Sequence, residues 1–211
     1  PFANHPIVTV SSKTGDGLGN LRDTVIELVN KIDRRVTEGP AFLPLDRVFT
    51  KEGFGTVATG TTLRGTLQEG DSVELLGQDP YPIKELKVRG LQALGQSQES
   101  VTAGMRTAVN ISGKRTDEIK RGMILTSSGA FENIDSCIVW AELLQHASPL
   151  KDEVLSIHLG TCEREATVIP LGCDEITPGE SGGRPRHRDR RHRHRSACAH
   201  AHSGCAAYRH R

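Results

Sequence analysis

The guanidinium is the most unevenly placed reactive group in this 211-residue chain. From Arg184 to Arg211 there are nine Arg, six His, one acid (Asp189) and no Lys. The residues before Arg184 hold 18 basic and 25 acidic side chains, so a formal net charge of +1 hides a body at −7. A basic segment of this kind can follow phosphates. Its closely spaced imidazoles could also hold a metal, but the alternating Arg would repel a cation. Elsewhere the chemical inventory is thin. There is no nucleophile elbow, no HExxH and no carboxylate pair that stands apart from solvated charge. The five cysteines form no CxxC, which argues against a disulfide framework and a structural zinc site and fits a reducing, cytoplasmic setting. Cys137, Cys162 and Trp140 read as core side chains, and His146 and His158 as structural ones.

A glycine-containing loop, SSKTGDG, stands at 11–17. It follows an apolar run and precedes an amphipathic stretch, so the local reading is strand, loop, helix, with Asp16 placed to cap the helix. No GxxxxGK[ST] segment occurs in the 211 residues, so no phosphate cradle accompanies it.

The elements that would hold these groups are legible from hydrophobic period. PIVTV at 6–10 predicts a short buried strand, and 18–32 a helix with Leu21, Val25, Leu28, Val29 and Ile32 on one face. Residues 34–44 read as a linker. From Leu45 the period becomes two. It predicts strands at 45–50, 55–63, 72–76, 83–91, 96–101, 107–111 and 123–126, with Gly, Asp and Asn between them. Gly53, Gly55 and Gly60 suit a tight turn and close backbone approach. A second linker, 127–133, leads to strands at 136–144, 154–159 and 164–170. The fold class is therefore mainly β, with many short strands arranged as a barrel or sandwich. The segment after about Gly182 has no Val, Ile, Leu, Phe or Met and is expected to be disordered. Arg and His without Lys look like GC-rich codons read in a shifted frame, the alternative being a genuine basic arm. No apolar run reaches the roughly 20 residues of a membrane span, and no secretory leader is evident. A start at Pro1 suggests a fragment or a processed piece.

The string LDRVFTKEGFGTVATGTTLRGTLQEGDSVEL at 45–75 is more specific than a generic barrel. With VRGLQ at 88–92, AGMRTAVNISG at 103–113 and IKRGMIL at 119–125, it resembles translational GTPases of the elongation factor Tu type, and most of all the selenocysteine-specific elongation factors. The resemblance covers about 6–182 and none of the tail. It implies four regions: 1–36, the C-terminal α/β remnant of a P-loop GTP-binding domain; 42–127, a domain 2 β-barrel; 134–181, a truncated domain 3 barrel; and 182–211, the Arg/His-rich tail. It also implies a guanine-base loop at Ser11, Ser12 and Lys13, where backbone N–H groups meet the base, and an aminoacyl pocket at Asp46, Arg47 and Arg121. On the residues alone, Asp46–Arg47 would be a surface ion pair at a strand edge. NKID at 30–33 copies the NKxD guanine motif as text but comes after the loop, on a helix end.

GTP and Mg²⁺ would be the parent's cofactors. Its partners would be selenocysteinyl-tRNA, the ribosome and, through C-terminal modules this chain lacks, a messenger-RNA hairpin; no membrane is implied. The alternatives are a factor handling ordinary aminoacyl-tRNA, or a non-enzymatic RNA-binding barrel with a basic arm. Lys51, Lys84, Lys87, Arg89, Lys114 and Arg115 could touch tRNA phosphates but form no single run. With no phosphate cradle, the purified chain should release no phosphate from GTP above background; turnover abolished by substitutions at 11–14 would contradict this.

Overall fold

A strand that alternates apolar and polar residues must bury one face, and six strands of this chain do so by closing on one another. The computed structural model describes residues 5–32, 37–77, 82–113, 116–178 and 195–208. The chain divides into two units, Pro1–Arg35 and Val36–Arg211. The second contains β1 (Phe42–Lys51), β2 (Gly55–Thr61), β3 (Thr66–Gln68), β4 (Ser72–Leu76), β5 (Ile83–Ala93), β6 (Gln96–Gln98), β7 (Ser100–Thr102), β8 (Arg106–Ser112) and β9 (Ile124–Ser127). Antiparallel pairing runs β1–β2–β8–β5–β4–β9 and returns to β1, which closes a six-stranded barrel. Its interior is filled by fully buried side chains, among them Leu43, Leu45, Val73, Leu75, Leu86, Val109 and Leu125. The mainly β fold class and the barrel are as the sequence predicts.

The differences from the sequence reading are instructive. Residues 42–44 belong to β1 and not to a linker, because Phe42–Pro44 pairs with Ile124–Thr126 to close the ring. That pairing is long-range and leaves no local signal. The segment 96–101 is two strands with different partners: β6 pairs with β5, and β7 pairs with β3 in a separate ribbon. A three-residue strand such as β3 carries too little alternation to be read.

After the barrel come β10 (Phe131–Ala141), β11 (Glu153–Leu159), β12 (Cys162–Pro170) and β13 (Arg195–Tyr208). They form one sheet in the order β10–β13–β12–β11. The expectation of a disordered tail is therefore wrong for Arg195–Tyr208, which lies between β10 and β12 and pairs with both. Composition bears on core burial, whereas pairing is a main-chain property that a run rich in Ala and Ser can satisfy. The expectation for 182–194 and 209–211 lies outside the described residues.

The unit Pro1–Arg35 holds one helix, α1 (Leu18–Asn30). The predicted strand at 6–10 does not form, and Ile7 is 93% exposed. A strand needs a partner ladder, and the described residues of this unit offer none. The helix stripe is present, but no residue of α1 is buried. Asn30 ends the helix, Lys31 is its C-cap and pairs with Glu27 at 2.6 Å, and Asp33 of NKID lies outside the described residues.

Gly60 on β2 is required by space. A Cβ there would lie 2.1 Å from the Pro44 carbonyl oxygen and 2.8 Å from Leu43 Cδ2. Gly60→Ala should therefore lower barrel stability by about 1–3 kcal/mol, the usual cost of overpacking, read as a lower urea midpoint at unchanged m-value.

Candidate functional site

The Gly60 approach has a direct consequence on β1. Leu45 pairs with Gly60 and Arg47 with Thr59, so Asp46 is the extra residue of a β-bulge. A bulge re-aims the side chain that it carries. The Asp46 carboxylate is turned toward β8, where Arg106 grips it with two nitrogens, Nη1 to Oδ2 at 2.5 Å and Nη2 to Oδ1 at 3.1 Å. The Thr59 hydroxyl donates a third hydrogen bond to Oδ1 at 2.8 Å. The Asp46 side chain keeps 26% of its surface exposed and Arg106 59%, so this is a fixed acid at a surface and not a core pair. The Arg106 hydrogen bond holds the Asp46 carboxyl below the usual carboxylate range, against partial burial, with help from Thr59 and the Arg47 charge. Asp46 in turn pushes Arg106 above the ordinary guanidinium value.

Of the sequence-predicted trio, Asp46 and Arg47 are adjacent on β1. Arg121 is brought to the same stretch of backbone by its turn: the Gly122 N–H donates to the Leu45 carbonyl at 3.0 Å, and the Leu45 N–H donates to the Met123 carbonyl at 2.8 Å. Arg47 and Arg121 are both exposed, and among the described residues neither guanidinium has a hydrogen-bond or ion-pair partner. The expected Asp46–Arg47 surface pair does not form; Asp46 is bound to Arg106 instead. Arg106 was missed because its motif, AGMRTAVN, reads as an ordinary strand entry. Only the β1–β2–β8 order places residue 106 beside residue 46.

The other predicted loop is built on its own backbone. Ser11 N–H bonds the Asp16 carbonyl at 3.0 Å, Gly15 N–H bonds the Ser11 carbonyl at 2.9 Å, and Thr14 N–H bonds Ser11 Oγ at 3.2 Å. The amides of Ser12 and Lys13 are left without a partner among the described residues, on an exposed turn. Two outward N–H groups fit a carbonyl acceptor such as a base edge. Asp16 does not cap α1: Gly17 is the N-cap with no side-chain cap, and Asp16 accepts from the Thr14 hydroxyl at 2.7 Å. Gly17 must be glycine, since a Cβ would sit 2.2 Å from the Thr9 carbonyl oxygen at a φ of 74°.

The remaining candidates are scattered. Lys51, Lys84, Lys87 and Arg89 are exposed, with Lys51 over the Phe54 ring at 4.4 Å; Lys114 and Arg115 lie outside the described residues. His146 and His158 are exposed and not packed in a core; His158, on β11, stands across from Glu163 with Nε2 3.9 Å from Oε1. Cys137 and Cys162 are only half-buried, and the Trp140 side chain lies outside the described ones. Among the described residues no three His, Cys, Asp or Glu come together as a metal site, and no helix is long and apolar enough to cross a membrane.

Comparisons with known proteins follow the same ground. A family model described as elongation factor Tu domain 2 matches residues 55–126. The selenocysteine-specific elongation factor of Desulfomicrobium baculatum is 38% identical over 184 residues, covering 83% of this chain and 27% of that protein. Its counterpart from Methanocaldococcus jannaschii is 30% identical over 182 residues, covering 84% and 38%. The chain thus spans well under half the length of the curated relatives that it matches. Among solved structures, translation elongation factor SelB from Methanococcus maripaludis in complex with the GTP analogue GppNHp aligns with a TM-score of 0.74 at 25% identity, over 97% of this chain and 45% of that one. A bacterial selenocysteine-specific elongation factor shares the fold, with a TM-score of 0.72 at 21% identity over 97% and 30%.

The depressed Asp46 carboxyl fixes a sign. A lowered folded-state value contributes stability above the unfolded value of about 3.9, and that stability is lost as pH falls through the folded value. Arg106→Ala should raise the Asp46 midpoint toward the ordinary carboxylate value and flatten the acid limb of the stability curve. Carboxyl ¹³C NMR titration with urea melts from about pH 7 to 3 checks both.

Proposed function

We infer that this chain, a relative of the selenocysteine-specific elongation factors whose residues 55–126 form an elongation factor Tu domain 2, is part of a factor that delivers selenocysteinyl-tRNA to the ribosome in a GTP-dependent manner. The observation that carries this is the Asp46 bulge. Its carboxylate is held by Arg106 and Thr59, while the Arg47 guanidinium beside it stays exposed and has no hydrogen-bond or ion-pair partner among the described residues. An aminoacyl ester presents an ammonium next to its side chain. Asp46 is the anion for the ammonium. Arg47, with Arg121 on the adjoining turn, supplies cations for a side chain that ionises.

Selenocysteine is a selenolate at neutral pH, whereas serine is neutral. Guanidiniums positioned in advance therefore favour the selenolate by charge, and a charge-assisted contact is about twice as strong as a neutral one. Arg106 acts by fixing the acid, which leaves Arg47 free for the ligand. The division of labour suits recognition, because the acid and the free cation belong to neighbouring residues of one strand and cannot drift apart.

GTP and Mg²⁺ belong to the whole factor in this reading. The residues present fit only part of that group: the Ser12 and Lys13 amides, without a partner among the described residues, would suit the base, and the exposed Lys13 side chain would lie near it, while the 211 residues offer no phosphate cradle. Bound GTP would supply the energy of hydrolysis to the delivery cycle, and this chain's own contribution would be base recognition and aminoacyl selection. A cytoplasmic location follows from work on the ribosome.

Arg47→Glu and Arg121→Glu should each weaken selenocysteinyl-tRNA binding about tenfold or more while leaving seryl-tRNA within about twofold, given roughly 1.5–3 kcal/mol for a hydrogen bond to a charged group. Filter binding with both tRNAs measures the ratio. Equal loss for both tRNAs would support a factor for ordinary aminoacyl-tRNA.

A further inference from the structure

The backbone that carries the candidate pocket is gripped from outside by the second sheet. The tight turn between β11 and β12, Gly160 and Thr161, sits on two residues of the barrel. A Cβ on Gly160 would lie 3.4 Å from both Cβ and Cγ of Pro44. A Cβ on Gly122 would lie 3.4 Å from Cys162 Cα and 3.6 Å from the Thr161 carbonyl oxygen. Pro44 precedes Leu45 and the Asp46 bulge, and Gly122 follows Arg121. The same two segments are stitched to each other by the Leu45–Gly122 and Leu45–Met123 backbone bonds. The turn therefore touches both segments of the stitch that holds the pocket.

Two further contacts fix the sheet that presents the turn. The Gly77 N–H donates to Asn133 Oδ1 at 3.0 Å, and Arg164 Nη2 donates to the Gly77 carbonyl at 2.8 Å. Asn133 is on β10 and Arg164 on β12, so one barrel residue is held from two strands of the second sheet. The Phe42 and Phe131 rings add a tilted contact with centroids 5.1 Å apart. Both contacting glycines have positive φ, 60° at Gly160 and 89° at Gly122, which keeps side chains out of the joint. The Thr161 hydroxyl is buried without a hydrogen-bond partner among the described residues, an exception that packed joints rarely carry.

We propose that the β11–β12 turn is a positioning element of the aminoacyl pocket, setting the geometry of Asp46 and Arg121 through Pro44 and Gly122. The inference rests on the reading of Asp46, Arg47 and Arg121 as that pocket. None of the turn residues touches the aminoacyl group; they act through the backbone of residues 44–46 and 121–123. The second sheet is then a part of amino-acid selection and not only a neighbour of the barrel. Displacing the turn relaxes the bulge, loosens the Arg106 grip and blurs the discrimination between selenocysteinyl- and seryl-tRNA.

The test uses the full 211-residue chain. Gly160→Val adds a three-carbon isopropyl group against Pro44 at a φ that disfavours a β-branched residue. Arg164→Ala cuts the Gly77 bond at a distance from the pocket and serves where the first variant does not fold. Glu165→Gln, at an exposed position of β12 away from the turn, should behave as the parent chain does. Amide exchange over 153–170 reports whether the turn has loosened. Carboxyl ¹³C titration of Asp46 then reads the joint: a midpoint moved toward the ordinary carboxylate value in Gly160→Val or Arg164→Ala, and not in Glu165→Gln, supports the proposal. An unmoved Asp46 midpoint with a loosened turn overturns it. Binding of the two tRNAs separates this from the pocket reading. A selenocysteinyl-to-seryl ratio that falls about threefold or more with the Asp46 shift supports both; an Asp46 shift with an unchanged ratio supports the coupling and overturns the pocket.

Discussion

The passage of β1 over Gly60 is the constraint from which the candidate site follows. The Pro44 carbonyl occupies the space where any side chain at residue 60 would begin. Beside this close approach the β1–β2 register shifts by one residue, and the extra residue is Asp46. A regular strand would have alternated Leu45 inward, Asp46 outward and Arg47 inward, putting a guanidinium into a core of Leu and Val. The bulge instead leaves Leu45 buried and Arg47 exposed, with the carboxylate of Asp46 between them. Of two neighbouring charged residues, Arg47 is thus left exposed and Asp46 is bound to Arg106 on the barrel wall.

The electrostatics follow the same geometry. An exposed ion pair adds little stability, so the Asp46–Arg106 contact is better understood as orientation than as cohesion. Two donors from Arg106 and one from Thr59 hold both carboxylate oxygens in place. Stability of the barrel comes from elsewhere, from the apolar side chains buried by closing six strands into a ring without a free edge. Separating the two roles lets the site keep a partly wet, ionised carboxylate without weakening the core. Glu74, by contrast, is buried and is used structurally: its carboxylate accepts from the Gly129 N–H at 2.8 Å and ties the turn between β9 and β10.

The second sheet shows how far a composition argument reaches. Absence of large apolar residues correctly says that 195–208 cannot build a core of its own, yet the segment pairs along β10 and β12. Backbone donors and acceptors are present whatever the side chains are, and a gap between two strands is a stronger template than any local propensity. The short helical unit shows the reverse. The apolar stripe of α1 is plain in the sequence and no residue of it is buried, because amphipathicity states that a face needs cover and says nothing about what supplies it.

Period-two alternation with the Gly and Asp punctuation predicted a mainly β chain arranged as a barrel or sandwich, and the resemblance carried by the motif strings pointed to a barrel and to Asp46, Arg47, Arg121 and Ser11–Lys13 as residues to watch. Those are local properties, carried by neighbours along the chain. Arg106 could not be found that way. Sixty positions separate it from Asp46, and the two meet because β2 lies between β1 and β8. The bulge, the partner of the carboxylate, the joint at Gly160 and Gly122, and the strand at the tail all depend on which strands become neighbours. Strand order is set by closing the barrel and filling the sheet as a whole, a many-body condition that no short window of residues contains.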